Sequence, residues 1–153
     1  MRIDAFLHES PMFAVNRAAR RFESLAAHAL AADGLNFLEG LVLAAMFFEA
    51  PRPVKPSQMA DTFGTTRGNV SHCVSSLEAK GLLQRKIDPE DARVCQLTLK
   101  PQGKKCAVRV IGVFDKLQNK FEREVGKTAL GEMLKSLQKL EALCGKKQSA
   151  SKS

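Results

Sequence analysis

The sequence predicts a mainly α-helical fold with a small β-hairpin, and three patterns lead to that prediction. Apolar residues recur every three or four positions along most of the 153 residues, which is the period of an amphipathic helix. Residues 94–99 instead alternate with a period of two, and residues 82–87 form a second short strand-like segment. Glycines and prolines punctuate the chain between these segments. The predicted order is four helices, two strands and two further helices.

Composition is that of an ordinary globular protein. Apolar residues make up 44% and charged residues 26%, which argues against general disorder. No apolar run approaches the ~20 residues that a membrane span requires, and residues 1–11 lack the apolar core of a signal peptide. We therefore expect a single cytoplasmic subunit over residues 1–144 with no membrane partner, followed by a disordered polar tail over 145–153.

The residues that commonly carry chemistry are scattered along the chain. The cysteines Cys73, Cys95, Cys106 and Cys144 form no CxxC pair, so neither a disulfide framework nor a structural zinc site is expected. The three histidines lie far apart, and no Ser/His/Asp or Cys/His arrangement and no glycine-rich phosphate loop is present. We expect no enzyme and no cofactor. Whether any of the four thiols responds to oxidants is left open.

The charge balance suggests an anionic partner. The formal net charge is +8 and the pI is about 9.6. Residues 1–50 carry 4 basic and 6 acidic side chains, residues 51–100 carry 8 and 5, and residues 101–153 carry 12 and 5. The C-terminal excess fits either a solvated helix face with a lysine-rich tail or direct contact with phosphate.

Two helices are predicted before residue 50. Ser10 and Pro11 are typical of an N-cap and of the first helical position. Asn36, with Glu39 three residues later, is typical of a capping box at the start of the next helix. The predicted helices cover residues 11–32 and 35–49.

The middle of the chain predicts a winged helix-turn-helix over residues 54–100: a short helix, a glycine-containing turn, a second helix and the hairpin. Val70, Val74 and Leu77 form the inner face of the second helix. Its opposite face is small and polar, and no acidic residue precedes Glu78. Such a face can enter a major groove without repelling phosphates.

A run of motifs at fixed spacing occupies residues 59–103. They are Met59-Ala60, Gly64, Thr66, Val70-Ser71, Leu77-Glu78-x-Lys80-Gly81-Leu82, Arg85, Asp88-Pro89-x-Asp91-x-Arg93 and Leu99-x-x-x-Gly103. This run resembles the winged helix-turn-helix core of the MarR family of bacterial regulators. Two positions depart from the family pattern: Ala92 replaces the first arginine of the wing, and Lys100 replaces a capping threonine.

The resemblance implies a sequence-specific DNA-binding transcriptional regulator, a homodimeric repressor of a pseudo-palindromic operator. It also implies that the N-terminal helices and the C-terminal helices at 101–144 form the dimer interface. The apolar stripes on the C-terminal helices agree with that, although they also suit an intramolecular helical pair. Two alternatives remain for the function: a basic winged-helix module that binds without sequence preference or acts as a scaffold, and a cysteine-based redox regulator.

Contacts with double-stranded DNA are expected along the second helix and on the hairpin. The expected residues are Thr65, Thr66, Arg67, Asn69, Ser71, His72, Ser75, Arg85 and Arg93. His72 stands where the family often carries a base-contacting arginine, and it is either a single hydrogen-bond donor to guanine or simply solvated. Arg93 is the candidate for the minor groove. Asp91 either orients Arg93 or Arg85, or is an ordinary turn aspartate.

A small-molecule effector is a further expectation from the resemblance, because family members often bind aromatic or phenolic anions. Arg17, Arg20 and Arg21 can supply positive charge, and Phe47 and Phe48 an apolar wall. The alternative is a solvated arginine face beside ordinary core phenylalanines.

Overall fold

The computed structural model describes residues 2–87 and 95–145, and it is mainly helical with a two-stranded antiparallel sheet. The elements are α1 (Arg2–Glu9), α2 (Pro11–Leu30), a 3₁₀ turn (Ala31–Asp33), α3 (Phe37–Glu49), α4 (Pro56–Thr62), α5 (Arg67–Ala79), β1 (Leu83–Ile87), β2 (Cys95–Leu99), α6 (Pro101–Val125) and α7 (Lys127–Gly145). The predicted fold class is confirmed.

The N-terminal region contains one helix that the sequence did not predict. Helix α1 precedes Pro11, and its Phe6 ring packs edge-to-face on Phe13 of α2 at 5.8 Å between centroids. Its apolar pattern spans only two turns, which is too short for periodicity to identify. Helix α2 begins at Pro11 as predicted. The capping box of α3 is present, since Asn36 and Glu39 exchange backbone-to-side-chain hydrogen bonds of 2.9 Å each.

The hydrophobic core lies within residues 1–114, which form one compact unit. Val70, Val74 and Leu77 are fully buried, so the inner face of α5 is the one that the sequence predicted. Helix α3 is the most apolar helix, and it buries Val42 and Leu43 in the same core.

The wing is the hairpin of β1 and β2, paired in antiparallel register from Leu83↔Leu99 to Ile87↔Cys95. On the other side of β2, Val54 forms a single-residue antiparallel bridge with Leu97, whose N–H donates to the Val54 carbonyl at 3.2 Å. This bridge could not be predicted from the sequence, since one paired residue between prolines produces no alternation. The predicted wing turn at residues 88–93 lies outside the described residues.

The start of α6 is fixed against the wing. The Leu82 carbonyl accepts a hydrogen bond from the Lys100 N–H at 3.0 Å. A Cβ at Gly103 would lie 1.8 Å from that same Leu82 oxygen. Only glycine therefore allows this close approach of the first turn of α6 to the base of the wing.

Residues 115–153 form a second compact unit, and the boundary falls inside α6. Within this unit α7 carries exposed apolar side chains, among them Met133, Leu134 and Leu143. The predicted tail, apart from Gly145 at the end of α7, lies outside the described residues.

No single helix in the described ranges is long and apolar enough to cross a membrane. Pro11–Asp33 and Phe37–Glu49 meet the criteria of length and composition only as a pair, and the break between them is bent by 74°.

Candidate nucleic-acid interface

The N-terminal turn of α5 is organised by hydroxyl groups. The Thr66 Oγ1 accepts from the Asn69 N–H at 3.1 Å and caps the helix. The Asn69 Nδ2 donates to the Thr65 Oγ1 at 3.0 Å. Both threonine hydroxyls accept in these bonds and still carry a proton to donate. Arg67, beside them, is exposed. This turn therefore presents three potential donors to a phosphate.

Arg85 of the wing lies on α5 rather than in open solvent. Its guanidinium donates to the Ser75 Oγ at 2.7 Å and to the Ser71 carbonyl at 3.5 Å, and its Nε is 3.5 Å from Glu78. The Ser75 hydroxyl in turn donates to the Ser71 carbonyl at 3.0 Å. Arg85 thus connects the wing to the exposed face of α5, and both serines already take part in that connection.

His72 is exposed on α5, as the sequence predicted. It lies on the flank of the helix that borders a cleft of about 210 Å³ against the start of α3. The other lining residues are Asn36, Leu38, Glu39, Asn69, Cys73 and Ser76. The imidazole is therefore accessible from solvent and adjoins a cleft whose floor contains Glu39.

A buried carboxylate fixes the C-terminal half of α5, a role that was not predicted from the sequence. Glu39 is 2% exposed and accepts from the Ser76 Oγ at 2.6 Å and from the Lys80 Nζ at 2.7 and 2.9 Å. Lys80 also donates to the Gly34 carbonyl at 2.8 Å. Burial alone would raise the pKa of Glu39, but the bonds from Lys80, Ser76 and the Asn36 N–H together hold it below its ordinary value.

The sequence only partly indicated the contact of Glu39 with Ser76 and Lys80. Glu39 was identified as the partner of Asn36 in the capping box, and Ser76 and Lys80 are four residues apart on one helical face. Nothing in the spacing indicates that this face packs on the start of α3.

The cysteines differ in environment. Cys73 is buried on the inner face of α5, where desolvation, and secondarily the charge of Glu39, raises the pKa of its thiol to about 12. Cys106 is also buried, and desolvation followed by the charge of Asp33 raises its pKa. Cys144 is exposed. The raised pKa at both buried sites disfavours the thiolate, which is the form that oxidants attack.

The arginines of α2 line one cavity, but the predicted phenylalanines do not. Arg17, Arg20 and Arg21 border a cavity of about 360 Å³ together with Leu7, Phe13, Asn16 and Ser24. Within residues 2–87 and 95–145 their guanidinium groups have no hydrogen-bond or ion-pair partner. Phe47 and Phe48 are not part of this lining, and they pack on each other with ring centroids 6.1 Å apart.

The predicted wing residues Asp91 and Arg93 lie outside the described residues. In the part of the chain that the structure describes, no three histidine, cysteine, aspartate or glutamate side chains are grouped as a metal site requires.

Comparison with protein families identifies the same region. A family model described as "MarR family" matches residues 33–94, which span α3, the helix-turn-helix and the first strand of the wing. A search of curated protein sequences returns no significant match.

Several solved structures share the fold at low sequence identity. The MepR–DNA complex of S. aureus has a TM-score of 0.81 at 18% identity, covering 87% of this chain and 97% of that one. The repressor CouR bound to a 23-mer DNA duplex has a TM-score of 0.78 at 24% identity, covering 88% and 94%. CouR from Rhodococcus jostii RHA1 bound to p-coumaroyl-CoA has a TM-score of 0.75 at 21% identity, covering 88% and 93%.

Proposed function

Because this chain belongs to the MarR family of DNA-binding winged helix-turn-helix transcriptional regulators, we propose that it is a homodimeric repressor of a pseudo-palindromic operator. The observation that carries the proposal is the exposed surface of α5 from Thr65 to Ser75. This surface contains hydroxyl, amide, imidazole and guanidinium donors and no carboxylate. It suits a major groove, where its donors can reach the acceptor atoms of the base edges and where the phosphates would repel acidic side chains.

Roles on this surface follow from its geometry. Thr65, Thr66 and Arg67 bind phosphate at the N-terminal turn, where the helix dipole also favours an anion. Asn69 and His72 contact base edges, since they lie one turn apart on the same exposed flank. Arg85 holds the wing on α5 through Ser75. The family resemblance, and not the geometry, assigns Arg93 to the minor groove and Asp91 to orienting Arg93 or Arg85, since both residues lie outside the described part of the chain.

Exposed apolar side chains support the dimer. Helix α2 exposes Met12 and Val15, and helix α7 exposes Leu134 and Leu143. Apolar surface of this extent is expected at an interface rather than in water. A second copy of the chain, packed through these helices, would place two α5 helices on one duplex, and the two-fold axis would be matched by the operator.

The cavity lined by Arg17, Arg20 and Arg21 supports an effector site for an aromatic or phenolic anion. Its three guanidiniums, which have no partner among the described residues, supply the charge, and Leu7 and Phe13 replace Phe47 and Phe48 as the apolar wall. Among proteins of similar fold, CouR has been crystallised with p-coumaroyl-CoA.

The test is a selection of duplexes from a random pool by the full-length protein, followed by mobility shifts at fixed salt. We expect a selected site with two inverted half-sites about one helical turn apart, and an affinity at least roughly 10³ times that for a scrambled duplex. Equal affinity for both duplexes would contradict the proposal and favour a module without sequence preference. Sedimentation of the free protein as a folded monomer would contradict the dimer.

A further inference from the structure

The turn between α2 and α3 is bonded by side chains from two other helices. It comprises the 3₁₀ residues Ala31–Asp33 and Gly34, whose φ of +66° lies in the left-handed region. The Gly34 N–H donates to the Ala31 carbonyl at 3.0 Å. Leu35, the next residue, is buried in the core. This α2–α3 turn is therefore a defined structure anchored to the core at its end.

Helix α6 reaches the turn through one ion pair. The Arg109 Nε and Nη2 donate to the Asp33 Oδ1 at 2.8 and 2.6 Å. The Asp33 side chain is 17% exposed and that of Arg109 is 58% exposed. A pair with one exposed partner contributes little to the free energy of unfolding. Two donors on one oxygen nevertheless define where the Asp33 side chain lies relative to α6.

Helix α5 reaches the next residue of the same turn. The Lys80 Nζ donates to the Gly34 carbonyl at 2.8 Å, while it also bonds both carboxylate oxygens of Glu39 at 2.7 and 2.9 Å. Asp33 is thus bonded by α6 and Gly34 by α5. One planar peptide unit joins the two residues, so a displacement of Asp33 is passed on to the Gly34 carbonyl and to Lys80.

This polar connection differs in kind from the packing that α5 and α6 share. Val74 of α5 and Val110 of α6 belong to one apolar core. Apolar burial is not directional, so it permits small rotations of one helix against another. Hydrogen bonds depend on direction as well as distance. The α2–α3 turn therefore supplies a directional connection between α6 and α5.

We propose that Arg109 and Asp33 are positioning residues for α5. Through Gly34 and Lys80 they set the orientation in which α5 meets DNA, and neither of them contacts DNA itself. The consequence for operator preference rests on the proposed function. The coupling of the turn to α5 does not, so it is measured first, on the free full-length protein.

The first experiment is amide hydrogen exchange of Arg109→Gln. We expect exchange to accelerate by roughly twofold to fivefold in the turn and at the C-terminal end of α5. The amides to follow are those of Gly34, Lys80 and Gly81, which donate to the Ala31, Ser76 and Glu78 carbonyls. Unchanged exchange at the end of α5, even with faster exchange in the turn, would overturn the proposal.

Arg123→Gln is the matched control for exchange and for binding. It removes one positive charge from the same helix, and Arg123 lies 3.8 Å from Glu124, its neighbour in sequence, so no other element is released. This variant should exchange like the parent at the end of α5.

The second experiment compares affinities for the selected operator and a scrambled duplex at fixed salt. Arg109→Gln should lower the ratio of the two affinities by roughly threefold to tenfold, and Arg123→Gln should leave the ratio unchanged. A merely structural role would not move this ratio, because unfolding of part of the protein lowers both affinities by the same factor.

Variants of Asp33 separate position from charge. Asp33→Ala removes the acceptor and raises the net positive charge, so charge alone predicts equal or tighter binding of both duplexes. We expect the affinity ratio instead to fall as far as in Arg109→Gln, with no further fall in the double variant, since both changes remove one bond. Asp33→Asn keeps an oxygen acceptor and should lose no more than about twofold.

The outcomes distinguish this proposal from the proposed function. An unchanged ratio in Arg109→Gln and Asp33→Ala, when the parent prefers its operator, would overturn the positioning role alone. A parent that binds both duplexes equally would contradict the proposed function, and the exchange of the α5 amides would then decide whether the turn controls that helix.

Discussion

The two halves of α5 differ in what holds them. Up to Ser75 the helix is exposed on one side, and its side-chain hydrogen bonds are local or come from Arg85 of the wing. From Ser76 onward it is held by Glu39, a buried carboxylate on another helix, through Ser76 and Lys80. The difference indicates two roles: the second half of α5 fixes the position of the helix, and the first half remains accessible for contact with DNA.

The wing likewise has a fixed part and an exposed part. The base of the wing is fixed where Gly103 meets the Leu82 carbonyl, while the wing strand presents Lys86 to solvent. Substitutions in the fixed part should therefore change the free energy of unfolding, and substitutions in the free part should change DNA affinity alone.

The largest effect is expected for Gly103→Ala. A Cβ 1.8 Å from the Leu82 oxygen cannot be accommodated without moving backbone. We expect a loss of roughly 4 kcal/mol or more in the free energy of unfolding, measured by urea denaturation. Gly112→Ala on the same helix is the matched control, because a Cβ added there would have no neighbour within 4 Å. This substitution should raise the free energy of unfolding by up to about 1 kcal/mol. Similar stabilities for the two variants would contradict the close contact.

The next prediction separates two effects of the Glu39–Lys80 ion pair: the stability of the fold and the position of α5. Lys80→Met leaves Glu39 buried and unpaired, and we expect a loss of about 3 kcal/mol, at the lower end for buried pairs because Lys80 is 37% exposed. The double variant Glu39→Gln/Lys80→Met should regain most of this loss, since no buried charge remains.

The ratio of the affinities for operator and scrambled duplexes should fall in Lys80→Met. It should remain below that of the parent in the double variant, because the ion pair that positions α5 is still missing. Lys105→Met, on an exposed lysine that has no partner in the described ranges, is the control for stability. Full recovery of the affinity ratio together with stability would mean that the ion pair stabilises the lobe without positioning α5.

Much of the fold follows from local patterns. The capping box of Asn36 and Glu39, the inner face of α5 and both strands of the wing were predicted, because each depends on residues close together in sequence. The contact between Glu39 and Lys80 was not, since it joins residues 41 positions apart. The close approach of Gly103 to Leu82 escaped prediction for the same reason. The Val54 bridge escaped it because one paired residue between prolines produces no alternation.

The candidate site was predicted less completely than the fold. Periodicity identified the exposed face of α5, but it did not indicate that Arg85 would lie on Ser75 or that His72 would border a cleft. Phe47 and Phe48 were grouped with the α2 arginines by residue type alone. Their lack of contact with that cavity shows that residue type without a shared face does not predict a site.

An effect on binding alone is expected for His72→Ala. The side chain is exposed and makes no hydrogen bond within the described residues, so the free energy of unfolding should change by less than about 0.5 kcal/mol. Operator binding should weaken by about 1–3 kcal/mol, with relaxed preference at one base pair per half-site. His28→Ala, an exposed histidine on α2, is the control. Unchanged affinity and base preference would show that His72 is only solvated.

The smallest effect concerns acid. The folded-state pKa of Glu39 is lowered from 4.5, so its carboxylate stabilises the fold above the unfolded pKa, and this contribution is lost as pH falls through the folded-state pKa. Urea midpoints should therefore decrease less steeply below pH 4.5 in Glu39→Gln than in the parent. Glu124→Gln, on a glutamate that is 66% exposed, should retain the slope of the parent. If Glu39→Gln showed the same dependence of urea midpoint on pH as the parent, the bonds from Lys80 and Ser76 would not stabilise the charged form of Glu39 in the folded state.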